Sequence, residues 1–144
     1  MKIQDLLETK GHEVVTAPPS FPLEDAIKLL VEHNIGSLVV AEDAVVLGII
    51  TERDVLRTAS QGTARMQGMK VEEVMTRNVI VGLPSDSLDY VMGVMTRNRI
   101  RHLPVVETGW LQGIVSIGDV IGAIGRKVEV ENRYMRDYIQ GKYS

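Results

Sequence analysis

Apolar and polar residues along this chain follow a helical period in some stretches and a strand pattern in others, in an order that occurs twice. Ile3, Leu6 and Leu7 lie at helical spacing in a short first helix that Gly11 ends. Glu13 to Ala17 holds Val14-Val15-Thr16, a short strand closed by the Pro18-Pro19 turn. From Leu23 to Asn34 the positions Leu23, Ala26, Ile27, Leu30 and Val31 follow the i, i+3, i+4, i+7, i+8 rule of an amphipathic helix, and Asn34 and Gly36 punctuate its end. Ser37 to Ala41 and Val45 to Thr51 predict a hairpin around Glu42-Asp43, and Glu52 to about Ser60 predicts the next helix. Thr58 to Met69 has no period and reads as an exposed connection containing a helical turn.

The order then begins again. Val71 to Met75 predicts a short helix, Asn78 to Val81 a strand, and Gly82-Leu-Pro84 a turn. Ser87 caps a helix presenting Leu88, Val91, Met92 and Met95. His102 to Val106 and Trp110 to Ser116 form a hairpin around Glu107-Thr-Gly109, and Ile117 to about Lys127 is the last helix of the repeat. Ile35 matches Ile100, Leu38 matches Leu103, and Pro19-Ser20 matches Pro84-Ser85, all at an offset of 65 residues. Upstream the offset is 68, so Lys10-Gly11-His12 is a three-residue insertion in the first copy.

The most specific repeated text is Gly48-Ile-Ile-Thr-Glu-Arg-Asp54 and Gly113-Ile-Val-Ser-Ile-Gly-Asp119. Glycine and two β-branched residues suit the end of a buried strand; a hydroxyl and an aspartate three residues later suit the first helical turn. Thr51 with Asp54, and Ser116 with Asp119, are thus candidate capping boxes. The same corner also suits a ligand. A helix start offers free N–H groups to a phosphate, and an ionised aspartate accepts two hydroxyl hydrogens from a ribose.

Composition narrows the picture. Half of a 144-residue chain is marginal alone, so the two copies are expected to pack as one unit. The 44% apolar content and mean hydropathy of +0.04 fit an ordinary globular protein. No apolar run approaches a membrane span, no signal pattern opens the chain, and there is no cysteine, which points to a cytoplasmic protein without disulfides or thiolate metal sites. A net charge of −3 supplies no basic field, which argues against nucleic acid as a partner.

The two corners, together with Val71-Glu-Glu-Val-Met75-Thr and Arg99-Ile-Arg-His-Leu-Pro-Val105-Val, resemble CBS motifs, the units named after cystathionine β-synthase. The resemblance covers about residues 1–125. The opening Asp5 to Gly11 and a tail running from Met135 to Gly141 resemble the stand-alone bacterial CBS-pair proteins. The implied fold class is α/β (α+β): two tandem β-α-β-β-α motifs packed pseudo-two-fold into one Bateman module, plus a C-terminal helix. The implied boundaries are 1–60 for the first motif, 61–69 for the linker, 70–127 for the second motif and 128–144 for the terminal helix.

The resemblance implies a regulatory sensor for an adenosine-containing ligand: AMP, ADP, ATP or NAD(H), with S-adenosylmethionine ranked below them. It assigns ribose and phosphate to Thr51, Asp54, Ser116 and Asp119, and adenine to Val15, Thr16, Ala17, Ile80 and Val81. Phosphate falls to Arg101 and His102, where the first copy has uncharged Gly36-Ser37. Arg101 is a phosphate fork or a salt-bridged surface residue, and Arg53 reaches phosphate or pairs with a carboxylate. Glu52 and Arg57 are expected on the helix surface. His12 and His33 have no metal-ligand spacing, no nucleophile or phosphate-loop motif is present, and neither catalytic nor metal residues are expected. In the tail, Val130, Tyr134 and Tyr138 share a stripe beside Met135 and Ile139, which either folds back or joins a second subunit in a homodimer. The alternative function is a constitutive interaction or scaffold protein, and no downstream protein is specified.

Overall fold

The computed structural model describes the backbone of residues 1–139 and their side chains except at 127–131 and 134–139. The element order is α1 (Ile3–Lys10), β1 (Thr16–Ala17), α2 (Leu23–Glu32), β2 (Ser37–Glu42), β3 (Val45–Thr51), α3 (Glu52–Ser60), α4 (Leu88–Asn98), β4 (His102–Glu107), β5 (Trp110–Ser116) and α5 (Ile117–Ile139). Single 3-10 turns lie at Thr63–Met66 and Val71–Glu73, so the helix expected over Val71 to Met75 is only one tight turn. The fold is the mixed α+β arrangement expected, with two small sheets, β1-β2-β3 and β4-β5.

The hairpins repeat one another residue by residue. Ser37 faces Thr51 in the first, and His102 faces Ser116 in the second. Both two-residue loops, Asp43-Ala44 and Thr108-Gly109, carry positive φ throughout, as the twist of a tight hairpin requires.

The strand expected over Asn78 to Val81 does not form. Only a single parallel bridge, Gly82 to Val105, stands where β1 pairs with β2. The cause lies in the neighbouring strand. The Val39 N–H donates to the Val15 carbonyl at 3.3 Å; the residue in the position of Val39 is Pro104, which has no N–H to give Ile80.

Core packing crosses the covalent repeat. Ile3, Leu6 and Leu7 of α1 are buried with Leu103, Val115 and Val120 of the second copy. Val71 and Met75 are buried with Leu38, Val40 and Ile50 of the first. These exchanges explain the corner glycines. A Cβ on Gly113 would stand 2.9 Å from Leu7 Cδ2, and one on Gly48 2.8 Å from Met75 Cγ.

α5 runs unbroken through Lys127 to Ile139 rather than ending where the repeat ends. The side chains of the tail stripe, Val130, Tyr134, Met135, Tyr138 and Ile139, lie outside the described residues, as does the segment 140–144. Among the described residues no helix is long and apolar enough to cross a membrane.

Candidate functional site

Each corner closes on itself as a capping box. At the first, the Thr51 N–H donates to Asp54 Oδ2 at 3.0 Å, the Thr51 hydroxyl donates to the same oxygen at 3.1 Å, and the Asp54 N–H donates back to Thr51 Oγ1 at 3.3 Å. At the second, the Ser116 N–H donates to Asp119 Oδ2 at 2.8 Å and the Asp119 N–H to Ser116 Oγ at 3.0 Å. Aspartate thus fills the place that glutamate or glutamine takes in the usual box.

What arrives from elsewhere in the chain differs. Asp54 is 2% exposed. The Thr76 hydroxyl lies 3.2 Å from its Oδ1 and 3.3 Å from its Oδ2, and Arg57 Nη1 stands 3.6 Å from Oδ1. Thr76 is fixed there by its backbone, which exchanges both hydrogen bonds with Ile49 at the edge of β3. The Asp119 side chain is 28% exposed and receives an ammonium: Lys10 Nζ donates to Asp119 Oδ2 and to the Ile114 carbonyl, each at 2.6 Å. Partial burial pushes the Asp119 pKa up, but the Lys10 and Ser116 hydrogen bonds and the Lys10 charge outweigh it and hold the carboxyl below its ordinary value.

A cleft of about 810 Å³ opens beside the first corner. Six residues named from the sequence line it: Thr51, Arg53, Asp54, Ile80, Arg101 and His102. The Arg101-His102 pair of the second copy therefore faces the corner of the first. Ser116, Asp119, Val15, Thr16, Ala17 and Val81 are not part of its wall. Ala17 is buried in the first core, and Val81 is exposed.

The uncharged Gly36 has a structural reason. A Cβ there would lie 3.1 Å from the His102 ring and 3.2 Å from Glu52 Oε1. Burial of the imidazole lowers the His102 pKa; Glu52 opposes this, while Arg101 and Lys10 add to it. At neutral pH the ring is therefore an uncharged hydrogen-bonding group rather than a cation.

Sequence reasoning did not single out Thr76, Asn78, Asn98 or Arg99, all on the cleft wall. Thr76 stood inside a quoted motif, but its bond to Asp54 spans 22 residues. Arg99 is itself the left-handed residue that ends α4, at φ 54°. Glu52 and Arg57, expected on the helix surface, are exposed and also line the cleft. The wall carries the guanidiniums Arg53, Arg57, Arg99 and Arg101 against the carboxylates Glu52 and Asp54, a positive surface in a chain of net charge −3.

Two hairpin-and-helix repeats, each with a hydroxyl-x-x-Asp corner, enclosing a cleft between them, define a tandem CBS pair. The chain belongs to the CBS domain family, whose model matches residues 4–60 and 71–126. It is similar to the CBS-domain containing protein ATU1752 from Agrobacterium tumefaciens, at 42% identity and a TM-score of 0.82 over 85% of this chain and 98% of that one. It is similar to the CBS domain pair of MJ0100, solved in complex with 5′-methylthioadenosine and S-adenosyl-L-methionine (30% identity, TM-score 0.76, 88% of this chain and 98% of that one). A third similar structure is CBSX2 in complex with AMP (27% identity, TM-score 0.71, 87% of this chain and 96% of that one).

Proposed function

We propose that this protein is a sensor module that binds an adenine nucleotide in the cleft at the Asp54 corner. The observation that carries the reading is the meeting, in one cleft, of a hydroxyl-x-x-Asp corner from one repeat with Ile80 and Arg101-His102 from the other. Asp54 takes the ribose hydroxyls, the Thr51 corner and start of α3 lie toward phosphate, and Arg101 with Arg53 supplies guanidinium donors. Because Pro104 has no N–H, the Ile80 carbonyl lacks the strand donor that Val15 has, and it serves as an acceptor for the adenine amino group. Four guanidiniums against two carboxylates favour an anionic ligand such as AMP, ADP, ATP or NAD(H) over the sulfonium of S-adenosylmethionine.

Nucleotide occupancy changes shape through Thr76. A ribose hydroxyl reaching Asp54 displaces the Thr76 hydroxyl and loosens the crossover that ties the second repeat to β3. The assembly is a homodimer: Leu56 on α3 and Ile121 on α5, at equivalent positions of the two repeats, are 70% and 55% exposed and form the apolar centre of its interface. Binding without catalysis is the whole activity in this reading.

One observation favours the constitutive scaffold instead: Asp54 is buried and both its oxygens already have partners. Equilibrium dialysis against AMP, ADP, ATP, NAD⁺ and S-adenosylmethionine separates the two. Saturable retention of the anionic nucleotides supports the sensor; retention of none supports the scaffold.

A further inference from the structure

We infer that Lys10 holds the second corner shut as an internal substitute for a ligand, so that the chain takes one nucleotide per pair of repeats, and that removing its ammonium opens a second seat of the same class. The inference rests on the reading of the first corner as a ribose seat.

The two boxes match in chemistry and connectivity, as the Thr51–Asp54 and Ser116–Asp119 hydrogen bonds show. They differ in what sits on the carboxylate. At Asp54 the hydrogen-bonded occupant from the other repeat is a neutral hydroxyl, shared between two oxygens at 3.2 and 3.3 Å, while the exposed Arg57 guanidinium stands farther off at 3.6 Å. A ribose hydroxyl replaces it like for like. At Asp119 the occupant is an ammonium at 2.6 Å, and a charge-assisted bond of this kind is about twice as strong as a neutral one. A ribose entering there must break that pair and leave the ammonium over the corner. The Coulombic loss and the continued steric presence of the lysine both oppose it.

Lys10 is built into place rather than resting on the surface. It is the last residue of α1, Gly11 turns the chain behind it at φ 100°, and the His12 imidazole lies 2.9 Å from the Gln112 carbonyl. Besides Asp119, the ammonium is held at a second point by the Ile114 carbonyl. Lys10-Gly11-His12 is the segment by which the first copy is longer than the second, so no such lysine reaches Asp54, whose cation is the mostly exposed Arg57 of its own helix at 3.6 Å. With side chains 31% and 28% exposed, the pair is sheltered enough to persist and open enough to be replaced.

The test measures moles of AMP bound per mole of chain by calorimetry and equilibrium dialysis, on the full chain. Lys10→Met keeps the apolar stem and removes the charge; Lys10→Gln keeps a donor for Ile114 and covers the case in which the methionine variant does not fold. Expected is one AMP per chain in the wild type, two in either variant, and one again in Lys10→Met/Asp54→Asn. A wild type that binds none and a Lys10→Met that binds one would sustain the latch while sinking the reading of the Asp54 cleft. The latch is overturned by two AMP in the wild type, by an unchanged number in both variants, or by weakened AMP binding on loss of Lys10, which would make the lysine a ligand contact.

Discussion

The two repeats spell the same corner and place it in different surroundings. In the first, the carboxylate is buried and covered by a hydroxyl, with a guanidinium 3.6 Å away; in the second, it is partly exposed and neutralised by a lysine at 2.6 Å. The first repeat keeps its β1 ladder, whereas the second loses that ladder to Pro104 and carries the arginine–histidine pair in its place. What the copies share is scaffold: the glycine under Leu7 or Met75, the hairpin and the capping box. What differs furnishes the proposed site, which needs a corner from one copy and a wall from the other. Divergence between repeats therefore marks function here better than their likeness does.

The largest effect that can break this comparison is the loss of ligand stabilisation. AMP at a hundredfold excess over its Kd stabilises a native-only binder by about 2.7 kcal/mol. At about 2–4 °C per kcal/mol for a chain of this size, the melting temperature rises by several degrees. Asp54→Asn, which keeps an acceptor for the Thr51 N–H, is expected to lose most of that rise in differential scanning fluorimetry, and Asp119→Asn to keep it. Equal behaviour of the two variants would erase the asymmetry.

Next is the sugar. If Asp54 reads the ribose hydroxyls, 2′-deoxy-AMP should bind more weakly by about 1–3 kcal/mol, roughly 5- to 150-fold in Kd. Calorimetry with both sugars decides it, and equal affinity removes Asp54 from the site.

Pro104→Val tests the wall. It restores the N–H that Val39 supplies in the first repeat, so the Ile80 carbonyl gains a strand partner. The expected gain in stability is that of one hydrogen bond, about 0.5–1.5 kcal/mol, with weaker AMP binding as the carbonyl is taken up. Denaturant melts and titration read the two changes separately; a gain in both stability and affinity contradicts the adenine assignment.

The smallest effect is the pH response. Burial holds the His102 pKa below the 6.5 of the unfolded chain, so the unfolded state binds more protons in that window. The His102 contribution is complete above pH 6.5 and is lost as the pH falls through the folded value. Asp119, also lowered, contributes above the ordinary carboxylate value of 3.8 and loses that contribution further into acid. His102→Asn should flatten the slope of stability between pH 7 and pH 5, and Lys10→Met the slope below pH 4. Chemical denaturation across that range reads both; an unchanged slope in His102→Asn shows that its imidazole is not desolvated.

Most of the scaffold was legible because it is written locally. Helical spacing placed α1, α2 and α4, and the fixed offset placed both hairpins. The missing strand was not legible, because its cause is a proline more than twenty residues downstream in a neighbouring strand. The corners were readable, but their occupants were not: Thr76 reaches Asp54 across 22 residues and Lys10 reaches Asp119 across 109. The sequence left open which corner faces Arg101-His102; only the packing of the halves answers it.

The exchange of α1 for the Val71–Met75 segment also has a consequence for the order in which the chain becomes a protein. During synthesis α1 emerges first, but the side chains that bury Ile3, Leu6 and Leu7 include Leu103, Val115 and Val120 near the other end. At about 5–20 residues per second, the ribosome leaves that apolar face unpartnered for roughly 5–20 s. The first repeat, completed by Met75, has its core before the second exists, so the newborn chain passes through a half-built state in which α1 is orphaned. The second repeat is the one that recruits α1, and completion of this fold waits until the chain has been made through Ala123.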